Sequence, residues 1–257
     1  MAFGKKCCAI WLGLGLWMAF TCQAADDWTL RMQEANVSYQ NGNYASAIET
    51  YASILEAGYF SAELEFNLGN AYYKTGEMAS AILHFERALK LAPGDPDIIF
   101  NLRIANLQVV DKLEEAPQGI VERIWHVLLH SLTPDAWARL ALFPLWAALV
   151  CMAVFLLSRV EMLRKSGFIL AVCFVAVSLL AFGMGHARLG YDGKHREGII
   201  FANNAYVKSE PLATGKDLFI LHKGVKVALL GSLGDWHRIR FSANKVGWVA
   251  KGSLEVI

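Results

Sequence analysis

The sequence lacks the short motifs by which many enzymes and nucleic-acid-binding proteins are recognised. It contains no G-x-S-x-G, P-loop or HExxH motif. Its five cysteines all lie in apolar stretches, which excludes a disulfide framework or a paired-cysteine metal site in the polar segments. A dense run of lysine and arginine is also missing, so a basic nucleic-acid-binding segment is excluded. We therefore predict a non-enzymatic protein with no catalytic residues, metal or cofactor, and no nucleic-acid partner.

The chain has almost no net charge because two oppositely charged segments cancel to a formal value of +1. Residues 26–115 carry 14 acidic and 6 basic side chains, whereas residues 186–257 carry 11 basic and 6 acidic ones. Opposite charges attract, but salt screens exposed charges over about 8 Å at physiological ionic strength. The sequence therefore predicts a weak, salt-sensitive contact between these two segments.

Apolar residues, in contrast, are abundant. They make up 55% of the chain, and the mean hydropathy is +0.34. Residues 140–158 and 166–185 are uncharged runs of 19 and 20 residues. Each run is close to the roughly 20 residues that a helix needs to cross a bilayer. We predict membrane spans at 138–158 and 166–186.

The segment between the two runs is short and basic. Arg159, Arg164 and Lys165 lie within the predicted loop of residues 159–165. Short basic loops between spans prefer the cytoplasmic side of a membrane. This rule predicts that the domains on either side of the hairpin both face outward.

The first 25 residues have the organisation of a secretory signal peptide. Lys5 and Lys6 precede an apolar stretch of 14 residues, and the small residues Cys22 and Ala24 suit a cleavage site. An uncleaved anchor and a lipoprotein site at Cys22 are the alternatives. All three interpretations place the following domain on the same outer side of the membrane, in agreement with the basic loop.

Residues 116–137 have an amphipathic pattern that predicts a helix lying along the membrane interface, with Trp125 beside its apolar face. Glu122, His126 and His130 share one helical face, at spacings i, i+4 and i+8. Two histidines and a carboxylate are ligands that suit zinc. We favour the simpler interpretation, in which these residues form the polar face of the interfacial helix.

The predicted spans contain two cysteines, Cys151 and Cys173. Each lies seven residues from its end of the connecting loop, which predicts a similar depth in the membrane. We interpret them as small apolar packing residues. A redox-active pair is the alternative.

Two stretches of the chain repeat one pattern 34 residues apart. "GNYASAIETY" (42–51) returns as "GEMASAILHF" (76–85), with glycine, alanine, serine, alanine and isoleucine at equal offsets. A period of 34 with small, glycine and aromatic positions resembles the tetratricopeptide repeat (TPR) family, whose unit is a helix–turn–helix. The resemblance implies two stacked repeats and an end helix. They are residues 28–61, 62–95 and 96–112, within a TPR domain at 26–115.

The TPR resemblance also implies a concave peptide-binding face. Its positions fall here on Met32, Asn36, Tyr39, Gln40, Phe66, Asn70, Tyr73, Lys74, Phe100 and Ile104. Asn36 and Asn70 are equivalent, and an asparagine amide both donates and accepts hydrogen bonds, so the pair suits an extended peptide backbone. Where the carboxylate-binding TPR proteins have cations, this chain has Met32, Phe100 and Ile104. That departure favours an apolar or aromatic ligand segment. Idle, solvated asparagines are the alternative.

Residues 196–257 change to a β-type pattern of short runs between glycine, asparagine and serine turns. "AYVKSEP", "GVKVALLG", "WHRI" and "VGWVAKGSL" resemble the bacterial SH3-like (SH3b) domains, small all-β barrels. Trp236 and Trp248 are the candidate ligand surface of this domain, with a purely structural role in the core as the alternative. Related modules bind peptidoglycan or peptides.

The order of these segments resembles the BatE-like proteins of the bacterial aerotolerance (Bat) operon over nearly the whole chain. The expected fold is a multidomain membrane protein with an all-α TPR solenoid, a two-helix transmembrane hairpin and a small all-β SH3-like barrel. The resemblance implies an inner-membrane protein with both soluble domains in the periplasm. It implies partners among von Willebrand A-domain membrane proteins, with the lipid bilayer around the hairpin. Binding of peptidoglycan through the SH3b domain is the alternative function.

Overall fold

The structure is a computed structural model that describes residues 28–112, 119–194, 196–242 and 244–257. The predicted signal peptide at 1–25 lies outside the described residues. Helices come first along the chain and a β-sheet follows. The helices are α1 (28–40), α2 (Tyr44–Glu56), α3 (Ala62–Thr75), α4 (Met78–Leu91), α5 (Pro96–Leu107), α6 (Ile120–His130), α7 (Pro134–Leu157) and α8 (Glu161–Lys194).

Helices α1 to α4 form two helix–turn–helix units related by the 34-residue offset. Gly42 and Gly76 occupy equivalent turns with φ of 79° and 82°, a left-handed conformation that other residues rarely adopt. Between α3 and α4, a Cβ at Gly69 would lie 2.7 Å from the ring of Phe85. The repeated small residues therefore set the turns and allow the helices to approach closely.

Helix α5 closes the helical stack, as the end helix predicted from the repeat. The Asp95 side chain accepts hydrogen bonds from the backbone of Asp97 and Ile98, and Pro96 occupies the first helical turn. Helices α1 to α3 share one apolar core. Its buried members are Met32, Ala35, Ala47, Tyr51, Ile54, Leu64, Leu68 and Ala71.

The helix predicted over residues 116–137 is divided into two helices in the structure, because the residues between His130 and Pro134 end one helix and begin the next. Helix α6 ends at His130, and the Thr133 side chain accepts from the backbone of Ala136, with Pro134 opening α7. The apolar side of α6 is exposed. The exposed side chains are Ile120, Val121, Ile124, Trp125, Val127 and Leu128.

Helices α7 and α8 pack against each other as an antiparallel hairpin, and both are long and apolar enough to cross a membrane by length and composition. Their contact is made by small residues, and the buried Ser178 hydroxyl donates to the Ala141 carbonyl at 2.8 Å. The connection between them is shorter than the predicted loop 159–165. Helix α8 already begins at Glu161, whose carboxylate pairs with Lys165 at 2.7 Å in the first helical turn.

The longer α8 places the two hairpin cysteines at different levels. Both Cys151 and Cys173 are free thiols. The Cys151 carbonyl lies against Gly167, 2.9 Å from where a Cβ would stand. Gly167 is six residues from Cys173, or about 9 Å along a helix. The prediction of similar depth is therefore wrong, because it assumed a longer connecting loop.

The C-terminal segment is a seven-stranded antiparallel sheet with the strand order β3-β2-β6-β5-β4-β1-β7. Alternation along β5 is clear: Ile239 and Phe241 are buried, whereas Arg238 and Arg240 are exposed. The strands are β1 (Glu197–Ile200), β2 (Asn204–Lys208), β3 (Asp217–His222), β4 (Lys226–Leu233), β5 (Trp236–Ser242), β6 (Lys245–Ala250) and β7 (Leu254–Val256).

The sheet and the helices α4 and α5 share a single apolar core. A Cβ at Gly224 would lie 3.2 Å from Val109 and 3.6 Å from Ile82, and all three belong to the region where the sheet meets the helical stack. The buried cluster is continuous from Ala79 in α4 to Leu254 in β7. The contact between the oppositely charged segments is present, as the charge pattern predicts. It is not merely a weak charge attraction, because apolar burial is insensitive to charge screening by salt.

Ion pairs surround this apolar contact. The Lys226 ammonium lies 2.9 Å from Glu86 of α4 and 2.9 Å from Glu197 of β1. Asp111, which follows α5, accepts from the backbone of His222 at 2.7 Å and lies 3.0 Å from its ring nitrogen. Arg87 and Glu255 form a pair of the opposite polarity at 2.8 Å.

Candidate functional site

A polar cavity of about 250 Å³ opens between the helices of the first repeat and the start of the second. We call it the asparagine groove. It is lined by Asn36, Tyr39, Gln40, Tyr51, Asn67 and Asn70. Four of these six residues are among those predicted from the TPR resemblance. The groove is formed by α1, α2 and α3, whereas the sheet packs on α4 and α5.

Asn36 is held in a fixed orientation at the base of the groove. Its Oδ1 accepts a hydrogen bond from the Tyr51 hydroxyl at 2.5 Å and another from Asn67 Nδ2 at 3.2 Å. With the oxygen occupied by both donors, the Nδ2 group of Asn36 has no hydrogen-bond partner among the described residues. That amide can donate to a carbonyl that enters the groove.

The second repeat contains an equivalent pair. Asn70 Oδ1 accepts from Asn101 Nδ2 at 3.1 Å, across a separation of 31 residues, the same as between Asn36 and Asn67. The chain therefore carries two linked asparagine pairs, related by the 34-residue period. Phe85 stands where the first repeat has Tyr51, so the second pair has no tyrosine hydroxyl.

Two tyrosines form the apolar wall of the groove. The Tyr39 ring packs edge-on against Tyr44, with centroids 5.2 Å apart. Burial, followed by repulsion from Tyr39 and Glu63, raises the pKa of Tyr51 to about 12. Burial and the neighbouring Tyr44 also raise the pKa of Tyr39. Both hydroxyls therefore stay protonated at neutral pH, and Tyr51 remains a donor to Asn36.

Two of the predicted groove residues pack on apolar neighbours and do not line the cavity, so a ligand contact by either stays a prediction. Met32 is only 7% exposed and packs in the core of α1 to α3. Phe66, its equivalent in the second repeat, packs on Phe85 with ring centroids 5.8 Å apart. The TPR resemblance locates these positions on the first helix of each repeat. Their side chains, however, fill the space between the two helices of each unit.

The remaining predicted residues lie outside the lining of the asparagine groove. Tyr73 is half-buried against the core shared with the sheet, and Ile104 is also half-buried. Lys74 is exposed in the last turn of α3. Phe100 is 60% exposed on α5, beside Asn101. These residues do not line the 250 Å³ cavity, but Phe100 offers an aromatic surface next to the second asparagine pair.

The residues that sequence reasoning missed are Tyr51, Asn67 and Asn101. Asn67 and Asn101 are themselves 34 residues apart, and Asn67 lies three residues before Asn70 on the same helical face. That double periodicity was available in the sequence. Tyr51 cannot be found in this way, because its hydroxyl bond to Asn36 depends on how the two helices cross.

The second predicted surface lies on the C-terminal sheet, where Trp236 and Trp248 are half-buried. Trp248 pairs across the ladder with Arg238 on one side and with Lys208 on the other. Paired residues in an antiparallel ladder project to the same face. Because Trp236 is two residues from Arg238 along β5, both tryptophans belong to one face of the sheet.

The predicted zinc alternative on α6 is only partly described. The side chains of Glu122 and His126 lie outside the described residues, while the His130 ring packs edge-on against Tyr191 at 5.0 Å. Among the described residues, no group of three histidine, cysteine or acidic side chains is arranged to hold a metal ion.

Comparison with known families supports the assignment of the helical region. A family model described as "Tetratricopeptide repeat" matches residues 32–96, whereas a comparison with curated proteins gives no significant match. The matched segment runs from α1 to the start of α5 and contains both asparagines, Asn36 and Asn70. The predicted TPR repeats are thereby confirmed, and TPR domains bind protein partners. Residues 32–96 thus match the tetratricopeptide repeat family, and such repeats suggest a role in protein–protein interaction.

Proposed function

We propose that the chain is a membrane-anchored adaptor that captures an extended peptide segment of an envelope protein in its asparagine groove. The single observation that carries this proposal is the repeated pair of asparagines with fixed orientation. Asn36 and Asn70 each have an oxygen engaged inside the protein and an amide left to donate. Two donors at the repeat spacing suit successive carbonyls of an extended backbone.

The preferred ligand segment is uncharged and carries an apolar or aromatic residue. Tyr39 supplies an aromatic wall and Phe100 an exposed ring beside the second pair. Lys74 is the one predicted groove position with a positive charge, so a carboxylate would lack the paired cations that hold it in other TPR proteins. We therefore favour an internal peptide segment over a free C-terminus.

The test is capture of partners by the full chain from solubilised membranes. Asn36→Asp keeps the oxygen that accepts from Tyr51 and Asn67, and Asn70→Asp keeps the oxygen that accepts from Asn101. Both substitutions remove the amide that could donate to a ligand. We expect the double variant to lose the captured protein and keep the thermal midpoint of the unmodified chain. Asn106→Ala, an exposed asparagine on α5 outside the groove, is the matched control. Equal capture by the double variant would refute the groove as the binding site.

Anchoring in the bacterial inner membrane is the second part of the proposal. It is supported by the length and apolarity of α7 and α8, by the small-residue contact between them and by the exposed apolar side of α6. Single cysteines placed at Val160 and at Ala213, in a background with all five native cysteines replaced, test the orientation. An impermeant thiol reagent applied to sealed cells or spheroplasts should label position 213 and leave position 160 unlabelled. The reverse pattern would contradict periplasmic domains.

The partners we propose are membrane proteins with von Willebrand A domains, in a complex of the Bat aerotolerance type. This proposal is supported by the segment order, which resembles that of BatE-like proteins. Mass spectrometry of the captured material identifies the partner directly. Recovery of a different class of envelope protein would keep the adaptor function and reject the Bat assignment.

Peptidoglycan binding through an SH3b-like sheet is the second candidate function. The observation that favours it is the exposed part of Trp236 and Trp248 on one face, flanked by Arg238 and Lys208. Aromatic faces stack well on sugar rings. Co-sedimentation with purified sacculi should use the full chain, because the sheet shares its core with α4 and α5. Sedimentation that is unchanged in Trp248→Ala would argue against this surface.

A further inference from the structure

A second cavity, separate from the asparagine groove, lies where α4, α6, α8 and the sheet meet. Its volume is about 520 Å³, within the range of small-molecule binding sites. We call it the junction cavity. Its charged lining comprises the cations Lys90, Arg188, Arg196, Lys226 and Arg240 and the carboxylates Glu86 and Glu197.

Positive charge exceeds negative charge in this lining, with five cations against two carboxylates. Both carboxylates are bound by one cation, Lys226, at 2.9 Å each. Arg196 and Arg240 form no ion pair with any described residue and are exposed at the cavity. Both arginines line the same cavity, and a phosphate that enters it can accept two parallel hydrogen bonds from a guanidinium group.

Arg188 places the cavity at a defined depth. It lies in α8, three residues beyond the uncharged run that ends at 185, and is only 4% exposed. Tyr191 and His130 line the same cavity, and His130 is the last residue of the amphipathic helix α6. If α6 lies in the membrane interface, the junction cavity is at the level of the lipid headgroups.

We propose that the junction cavity binds the headgroup phosphate of an anionic glycerophospholipid from the outer leaflet. This inference rests on the proposed membrane insertion of α7 and α8. Arginine-rich pockets at the end of membrane helices recognise such headgroups through charge and bidentate hydrogen bonds. Bound lipid would then bridge the TPR region, the sheet and the hairpin.

The experiment compares nanodiscs of phosphatidylcholine alone with nanodiscs that also contain phosphatidylglycerol. Native mass spectrometry measures how much of each lipid the full chain retains after release from the disc. We expect preferential retention of phosphatidylglycerol, reduced roughly tenfold or more in Arg196→Gln/Arg240→Gln because charge-assisted hydrogen bonds are lost. Lys216→Gln/Lys251→Gln removes the same charge from exposed positions outside the cavity and should retain the lipid.

Each other outcome rejects a defined part of the reasoning. If the chain does not enter nanodiscs, the membrane proposal fails. If it enters but retains both lipids equally, or if the control double variant loses phosphatidylglycerol as strongly as the cavity variant, the junction cavity is not a lipid site. If inorganic phosphate at equal concentration displaces phosphatidylglycerol completely, the ligand is a soluble anion and the lipid proposal is overturned.

Discussion

Replacing Lys226 by methionine should loosen the contact between the sheet and the helical stack. The ammonium group lies between Glu86 and Glu197, at 2.9 Å from each. Burial by itself lowers the pKa of Lys226, but the two carboxylates outweigh it and leave the pKa above its ordinary value of 10.5. Methionine keeps most of the side-chain volume and removes the charge, so it leaves Glu86 without its cation.

The expected cost follows from how buried the partners are. The Glu86 side chain is 9% exposed, whereas that of Glu197 is 34% exposed. Removing one partner of a fully buried pair costs about 3–5 kcal/mol, and exposed pairs contribute about 0.2–1 kcal/mol. We expect an intermediate loss of about 2–3 kcal/mol for Lys226→Met. For a folded unit of this size, each kcal/mol lowers the thermal midpoint by about 2–4 °C.

The assay is thermal unfolding of the full chain in detergent, followed by tryptophan fluorescence. Lys223→Met is the matched control, because its pair with Glu77 is longer, at 3.3 Å, and more exposed. It should lower the midpoint by about 4 °C at most. The stabilisation by Lys226 is full below pH 10.5 and is lost as pH rises through the raised pKa. Equal thermal midpoints for the two variants at pH 7 would refute a stabilising role for the ion pairs of Lys226 with Glu86 and Glu197.

Three further predictions concern the packing and the groove. Gly69→Ala should lower the free energy of unfolding by about 1–3 kcal/mol, because the added methyl group overpacks against Phe85. The control Gly94→Ala has open space around it and should lower the free energy far less. Equal losses for the two variants would contradict the close approach of α3 and α4. Ultraviolet titration should find a tyrosine with a pKa of about 12, and this titration should be absent in Tyr51→Phe. The stabilisation by Tyr51 should be full below pH 10.0 and lost as the pH rises through about 12. Ser178→Ala should lower the free energy of unfolding of the hairpin by about 0.6 kcal/mol, and no measurable change would argue against that hydrogen bond.

Much of the helical fold could be predicted because its determinants are local and repeated. Glycine at 42 and 76 requires the same turn twice, and Pro96 after Asp95 marks the start of α5 whatever surrounds it. Helix α8 begins at Glu161, before the predicted span at 166–186, because charged residues do not by themselves end a helix. A helix can continue through Glu161 and Lys165, since the two charges pair along its surface.

The site was only half predictable, because an aligned position does not give the direction of a side chain. Asn36 and Asn70 were predicted from their place on the first helices, and they do border the groove. Met32 lies one helical turn earlier on the same helix, yet it is buried. The hydrogen bonds that fix the asparagines join residues 31 apart, so they depend on how neighbouring helices are placed and not on any local pattern.

The shared core between α4, α5 and the sheet bears on how an adaptor of this kind would work. The asparagine groove is formed by α1 to α3, so the contacts that hold the sheet leave it uncovered. The tryptophan face of the sheet projects from strands β5 and β6. Two ligand surfaces that share one core hold their ligands at a fixed separation. Binding of one ligand then raises the effective concentration of a linked second ligand only when both can reach their surfaces at the same time. Loosening the interface at Lys226 should therefore weaken simultaneous capture of two ligands more than capture of either one, because each surface is formed without that lysine.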